Sequence, residues 1–242
     1  MSDYTILMCT YKATDCLKIQ YETLKRLGLL DRLIIYENSP RDFNDNRMFL
    51  LEHHIPFQNN INGKHAQTVN SALKKIKTKY CLLLDEDCFL RANPQPIVNF
   101  MKAKNFQLLG EVSSSRGGWV LKPRVNPWYC FIDVEWVNSH GIDFMNMEKI
   151  RKTDSSKFFG IDEGECRKDG IAKYDVGATF YEDILEKGGK VISLDMVIDN
   201  PYDYFFHIEG ASWRPDYKEY ANFFNTNQKP VINNFKQHLQ IS

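Results

Sequence analysis

The sequence has no excess charge of either sign: Lys plus Arg and Asp plus Glu stand at 31 each in 242 residues. Without a strong net field, nucleic acid and acidic membrane surfaces drop out as expected partners. No apolar run approaches the roughly 20 residues that a membrane-spanning helix needs, so no transmembrane segment is expected. The start, MSDYTILMC, lacks the basic and long apolar regions of a secretory signal. No Asn-x-Ser/Thr acceptor site with x other than proline occurs, and the six cysteines (9, 16, 81, 88, 130 and 166) form no C-x-x-C pair. A zinc ribbon is therefore not expected. Cys9 and Cys81 fall in apolar segments and read as small, reduced core residues. There is no internal repeat and no linker. These absences leave a cytoplasmic, globular chain as the expectation, with a 43% hydrophobic content ample for a sizeable core.

What is there is organised around TKYCLLLDEDCFL, residues 78–90. The apolar run from Tyr80 to Leu84 ends abruptly in Asp85, Glu86 and Asp87. A short apolar run bounded by polar residues reads as a strand buried on both faces. Carboxylates at its C-terminal end would sit where open α/β folds bind ligands. Side chains alternate along a strand, so Asp85 and Asp87 are expected on one side and Glu86 on the other. Two such carboxylates form a hard-oxygen half-site for Mg2+ or Mn2+ with room for phosphate oxygens.

The chain before this stretch alternates strand and helix. YTILMC (4–9) reads as a first strand, followed by Thr10 and Tyr11. Residues 14–27 carry Leu17, Tyr21, Leu24 and Leu27 at helical spacing, with Gly28 as a stop. RLIIY (32–36) is a second strand ending in Glu37, Asn38 and Ser39, which suggests a right-handed βαβ unit. Residues 41–54 are expected to be partly helical, residues 55–57 to form a short strand, and NNING (59–63) to turn. A helix follows over about 64–76, with Ala66, Val69, Leu73 and Ile76 inward. The lysines at its end complement the helix dipole. After Asp87, PQPIVNFMKAK reads as a helix opened by proline, and FQLLGEV as a strand. GWVLKP and WYCFIDV suit antiparallel strands. From Asn138 to Lys173 the pattern is weak and rich in glycine and charge, as in an active-site lid or acceptor loop. DVGATFYEDILEK (175–187) reads as a helix, KVISLDMV as a strand, and the segment from Pro215 as a tail packing on the body.

Taken in order, these blocks resemble GT-A fold glycosyltransferases, most of all the large inverting family 2 group. The resemblance spans roughly residues 4–213. Its most specific block is NGKHAQTVNSALKKIKTKYCLLLDEDCF, with support from the first strand leading to Thr10–Tyr11, the second ending in ENS, YDVGATFYEDILEKGGKV, and His207 in FFHIEGASW. It implies an α/β fold of GT-A type: a mostly parallel central sheet flanked by helices, in one domain over 1–242. A Rossmann-like nucleotide-binding half would occupy 1–90, a mixed acceptor half 91–213, and the tail 214–242. It also implies a Mn2+- or Mg2+-dependent transfer of a sugar from a nucleotide sugar to a hydroxyl of a glycan or other acceptor, with inversion. In that frame Asp87, with Asp85 close by, and His207 hold the metal through an Asp-x-Asp (DXD) motif, whose second aspartate typically ligates the ion and whose first reaches the sugar or ribose. Thr10, Tyr11, Glu37, Asn38, Asn62, Gly63, Lys64, Asp85 and Glu86 line the donor site. Glu37 as acceptor of a uracil imide hydrogen makes a UDP-sugar the first donor. The catalytic base is Asp175, with Asp183 in reserve, and Asp175 is equally suited to an N-cap. Trp213 is expected to cover the acceptor or the metal side, and Trp119, Trp128 and Trp136 could offer sugar-stacking faces, with core packing the first expectation for each.

Two departures stand out. The family's Asp-Asp-x-Ser is Glu37-Asn38-Ser39 here, and its acceptor-half acidic motif has two placements, Asp175 or Glu182–Asp183. A sugar-1-phosphate nucleotidyltransferase is the competing enzyme. Such enzymes carry a glycine-rich, arginine-bearing loop after the first strand, where this chain has CTYKATDC, without glycine. A non-catalytic carbohydrate- or metal-binding domain is the third reading.

Overall fold

The computed structural model describes residues 3–116, 119–153 and 174–208. Trp213, the tail 214–242 and most of the expected acceptor loop, residues 154–173, lie outside them. The chain divides into two compact units that interleave along the sequence. One comprises Thr5–Thr68, Leu84–Pro94 and Asn200–Ser242; the other comprises Met1–Tyr4, Val69–Leu83 and Gln95–Asp199.

In the first unit, β1 (Tyr4–Thr10) is buried at all seven positions, the signature of a strand covered on both faces. It leads into α1 (Thr14–Arg26), which has Asp15 in its first turn and Lys25 and Arg26 in its last, each favourable to the helix dipole. Gly28 then takes φ +68°, the left-handed geometry of a helix stop. α1 buries more than one stripe. Leu17 packs with Met8, Ile35 and Phe49, while Cys16 and Ile19 pack with Phe89 and Ile208. β2 (Leu33–Glu37) pairs parallel to β1, and β3 (Phe57–Asn59) parallel to β2. The shared register aligns Thr10 with Glu37 and Glu37 with Asn59, a polar row at the C-terminal edge of an apolar sheet. The helix expected within 41–54 is α2 (Asp45–Glu52). The third strand begins two residues later than expected. α3 (His65–Leu73) and β4 (Tyr80–Asp85) are shared between the units, since Val69–Leu83 belongs to the other one, and β5 (Cys88–Leu90) returns to this unit. β5 pairs antiparallel with β9 (Phe205–His207), matching Cys88 to His207.

The second unit contains α4 (Gln95–Lys104), β6 (Leu108–Arg116), β7 (Trp119–Asp133) and α5 (Val134–Ser139). After these come α6 (Met147–Thr153), α7 (Ala178–Glu186) and β8 (Val191–Ser193). β7 pairs antiparallel to β6, and β8 parallel to it. The two expected strands GWVLKP and WYCFIDV are one continuous β7. Its register against β6 shifts between Gly110 and Val112 and between Ser113 and Ser115, which lets a strand carry Pro123 and Pro127. The expected strand KVISLDMV stops at Ser193 and continues as a 3-10 turn over Leu194–Met196.

Overall, seven strands form an α/β sheet in the order β3-β2-β1-β4-β7-β6-β8, mostly parallel and flanked by helices, with β5-β9 as a separate ribbon. The described cysteines are buried. Among the described residues no helix is long and apolar enough to cross a membrane.

Candidate functional site

The acidic stretch behind β4 is where the site forms. β4 ends at Asp85, and Glu86 and Asp87 make a turn rather than a continued strand. Glu86 nonetheless points inward. It is 2% exposed and accepts the Tyr11 backbone N–H at 2.7 Å. This bond joins the end of β1 to the residue just past β4. The second carboxylate oxygen of Glu86 has no hydrogen-bond partner. Burial pushes the Glu86 carboxyl well above the usual range. The Tyr11 N–H opposes that shift, and the charges of Asp87, Asp85 and Glu37 add to it. Thr10, at the end of β1, is fully buried, and its hydroxyl likewise lacks a hydrogen-bond partner.

Asp87 and His207 meet across the β5–β9 ribbon. The Ile208 N–H donates to the Asp87 carbonyl at 2.8 Å, and His207 Nε2 lies 3.5 Å from Asp87 Oδ1. Phe205 and Ile208, both buried, anchor β9 on either side of the histidine. Asp85 does not complete a trio with this pair. Instead its Oδ1 lies 3.4 Å from His65 Nε2, at the first residue of α3. Among the described residues no group of three or more His, Cys, Asp and Glu side chains comes together to hold a cation. The expected set of Asp85, Asp87 and His207 is thus divided into two Asp–His pairs. The Asp87–His207 pair still fits one face of a divalent ion. Two ligands at right angles around an ion, each at about 2.1 Å, stand about 3 Å apart, and a carboxylate with a neutral imidazole suits Mn2+.

The loops behind β2 and β3 tie the expected donor-site residues to side chains that the sequence did not single out, namely Arg47, Asn60 and Thr68. Glu37 is fully buried and both its oxygens are engaged. Oε1 accepts the Ser39 N–H at 3.0 Å, and Oε2 pairs with Arg47 Nη1 at 2.7 Å. Arg47 Nη2 reaches the carbonyls of Pro40 and Arg41 and the Asn44 side chain, at 2.8, 3.1 and 3.0 Å, and also the Phe43 carbonyl. Glu37 is therefore the internal clamp of the 38–44 loop, which corrects its expected role as the uracil-reading group. The signal was present, since a carboxylate at the end of a buried strand needs a cation, and Arg47 lies in the polar segment that follows.

Asn38 is also buried, accepting from Asn60 Nδ2 at 2.9 Å, and Asn60 donates in turn to Thr68 Oγ1 at 2.8 Å. Asn62 takes φ +58°. Gly63 passes so close beneath this network that a Cβ would overlap Asn60 Nδ2 and stand 2.6 Å from Asn38 Oδ1. Lys64 accepts the Thr68 N–H through its carbonyl, so it precedes α3 and leaves His65 as the first helical residue.

Both candidate bases belong to the other unit. Asp175 does not open α7. Gly177, at φ +88°, holds the cap position, because a Cβ there would run into the Val125 carbonyl. The N-cap role expected of Asp175 is overturned, and with it the shared helical face with Asp183. Asp175 instead pairs with Arg124 at 3.1 Å, both nearly buried, and accepts the Val176 N–H at 2.7 Å. Asp183 lies on α7 and is held by Lys149 of α6 at 2.7 Å and by Asn146 Nδ2 at 3.2 Å. Burial works to lower the Lys149 ammonium, but its bonds to Asp183 and Glu186 prevail and push it up. Trp136 stacks on His140, ring centres 4.0 Å apart, and Trp128 lies beside Tyr129.

No protein-family profile matches the chain, and no curated protein does. Among solved structures it is similar to S. aureus TarS 1–349, at 12% identity and a TM-score of 0.44, over 59% of this chain and 50% of that one. The chain spans about half the length of the TarS 1–349 structures it matches. A mannosyltransferase from Pyrobaculum calidifontis, solved with GDP-Man and Mn2+, matches at 14% identity and a TM-score of 0.44, over 59% of this chain and 47% of that one. A Bacillus anthracis protein labelled a glucose-1-phosphate thymidylyltransferase matches at 9% identity and a TM-score of 0.40, over 76% of this chain and 93% of that one.

Proposed function

We propose that this chain is a divalent-metal-dependent glycosyltransferase that moves a sugar from a nucleotide sugar to an acceptor hydroxyl, with inversion. The observation that supports it most is the Asp87–His207 pair, set 3.5 Å apart by the β5–β9 ladder just past the end of β4. Asp87 and His207 would hold Mn2+ or Mg2+, and the donor's phosphates would supply the remaining ligands. Such an ion would supply positive charge to offset that building on the departing diphosphate. Tyr11, tied to Glu86, and the Asn38–Asn60–Thr68 network shape the walls that receive the nucleoside. Lys64 and the start of α3 present backbone amides toward an anion.

In the transfer, the acceptor oxygen bonds to the anomeric carbon as the bond from that carbon to the diphosphate oxygen breaks. The acceptor proton passes to a carboxylate. Asp175 is our candidate for that base. Asp183 is the weaker choice because Lys149 and Asn146 already hold it between two helices. With Glu37 committed to Arg47, the nucleobase is left to the screen, and UDP-sugars are simply the first donors in it.

The test is to incubate the protein with Mn2+ and a panel of UDP-, GDP- and dTDP-sugars and follow slow hydrolysis. Release of a nucleoside diphosphate and free sugar from one donor supports the reading. Formation of pyrophosphate from a nucleoside triphosphate and a sugar 1-phosphate, without donor hydrolysis, would replace it with a nucleotidyltransferase.

A further inference from the structure

His65 has no role in the reading above. His65 begins α3 at a point the surrounding loops fix firmly. Asn62 is left-handed, Gly63 passes under Asn60 without room for a Cβ, and Thr68, one turn along α3, bonds into the Asn60–Asn38 network. From that fixed start His65 Nε2 faces Asp85 Oδ1 at 3.4 Å. That ring nitrogen is out of contact with water yet has no hydrogen-bond partner, an arrangement a folded protein seldom leaves unresolved. Asp85 is also the open carboxylate of the stretch. Its side chain is 30% exposed, against 6% for Asp87. Hydrogen bonds at ligand-binding sites are often long before the ligand arrives and tighten in the complex.

We propose that His65 is a positioning residue: its Nε2–H closes onto Asp85 and fixes that carboxylate to accept hydrogen bonds from a pair of neighbouring hydroxyls on the donor. The inference rests on the glycosyltransferase reading, in which the first aspartate of the Asp-x-Asp motif reaches the sugar or ribose, and adds to it His65 as the group that orients that aspartate. Asp87 with His207 serves the diphosphate and its cation, and Asp85 with His65 serves sugar hydroxyls. Those hydroxyls belong either to the ribose or to the transferred sugar, and the chemistry of recognition is the same for both. A carboxylate free to rotate presents its lone pairs in many directions. One held by an imidazole N–H presents them in one, which turns hydroxyl binding into hydroxyl selectivity.

The test is calorimetric binding at saturating Mn2+, comparing wild type, His65→Phe and His65→Gln. The ligands are the best-binding nucleoside diphosphate, its 2′,3′-dideoxy analogue and the corresponding nucleotide sugar. Wild type is expected to favour the ribose form over the dideoxy form, or the nucleotide sugar over the diphosphate, by about ten-fold. His65→Phe keeps the ring shape without the N–H and is expected to reduce that preference to about two-fold or less. His65→Gln, which can still donate, should restore much of it. The preference that collapses identifies the ribose or the transferred sugar as the source. A His65→Phe variant that melts like wild type and keeps both preferences overturns the inference and leaves the glycosyltransferase reading standing. Failure of Gln to restore any preference overturns the positioning role. Failure of wild type to bind any nucleotide overturns the reading and the inference together.

Discussion

His207 Nε2 lies 3.5 Å from Asp87 Oδ1, and the backbone puts it there. Cys88 pairs with His207 in the β5–β9 ladder, and the Ile208 N–H closes onto the Asp87 carbonyl. The two side chains would therefore stay neighbours if either were replaced. That makes the pair suitable for substitution, because a change in metal binding can be separated from a change in fold.

The Glu37–Arg47 pair is predicted to be a stability element. Arg47→Met leaves the fully buried Glu37 carboxylate without its cation, and losing one partner of a buried pair costs about 3–5 kcal/mol. Urea unfolding measures it. Adding Glu37→Gln to Arg47→Met should recover most of the loss, since the uncompensated charge is then gone. Equal destabilisation in the single and double variants would contradict this account.

Asp175→Asn separates two roles. As the base, Asp175 is needed for transfer, so the variant should bind donor normally and lose transfer by orders of magnitude. The Arg124 pairing adds a second effect: the variant should also be less stable, by about 3 kcal/mol, because the nearly buried Arg124–Asp175 ion pair is broken. Reduced stability with near-normal transfer, measured on the folded fraction, would assign Asp175 to the fold and remove it from the chemistry.

Asp133 carries a pH prediction. It caps α5, accepting the Trp136 N–H at 3.0 Å. Burial raises its carboxyl above the ordinary 3.8, opposed by the Trp136 bond and by Lys79. A raised native pKa means the fold favours the protonated form. That contribution is fully present below pH 3.8 and is lost as pH rises through the native value. Asparagine caps about as well and does not titrate. Asp133→Asn should therefore gain on wild type as pH rises from 3 toward neutrality. A flat difference between the two melting curves across that range would show that Asp133 is not under this strain.

Local pattern carried much of the fold. The apolar runs Tyr4–Cys9, Leu33–Tyr36 and Tyr80–Leu84 and the stripe Leu17, Leu24 are strands and a helix where the sequence put them. Ala66, Val69, Leu73 and Ile76 are buried as their spacing required. The failures share a cause, which is dependence on distant residues. Asp175 mimics an N-cap, but the close approach of Gly177 to the Val125 carbonyl sets where α7 begins. GWVLKP and WYCFIDV were expected as separate antiparallel strands, and register shifts in the pairing with β6 let them run as one β7. Glu37 looked like a ligand-reading carboxylate because Arg41 and Arg47 both follow it in the chain, and only the folded loop selects Arg47 as its partner. His65 went unnoticed because its relation to Asp85 depends on how loop 60–64 folds.

The central claim is that Asp87 and His207 bind a divalent ion together with the donor's phosphates. Its most direct test is to titrate a nucleoside diphosphate into wild type, Asp87→Asn and His207→Ala, with and without Mn2+, alongside their melting temperatures. The account predicts that Mn2+ strengthens wild-type binding by at least about ten-fold, the scale lost even when a metal's outer partners are removed. That gain should vanish in Asp87→Asn and shrink in His207→Ala, while both variants remain folded. A folded Asp87→Asn variant that keeps the full Mn2+ enhancement would contradict it.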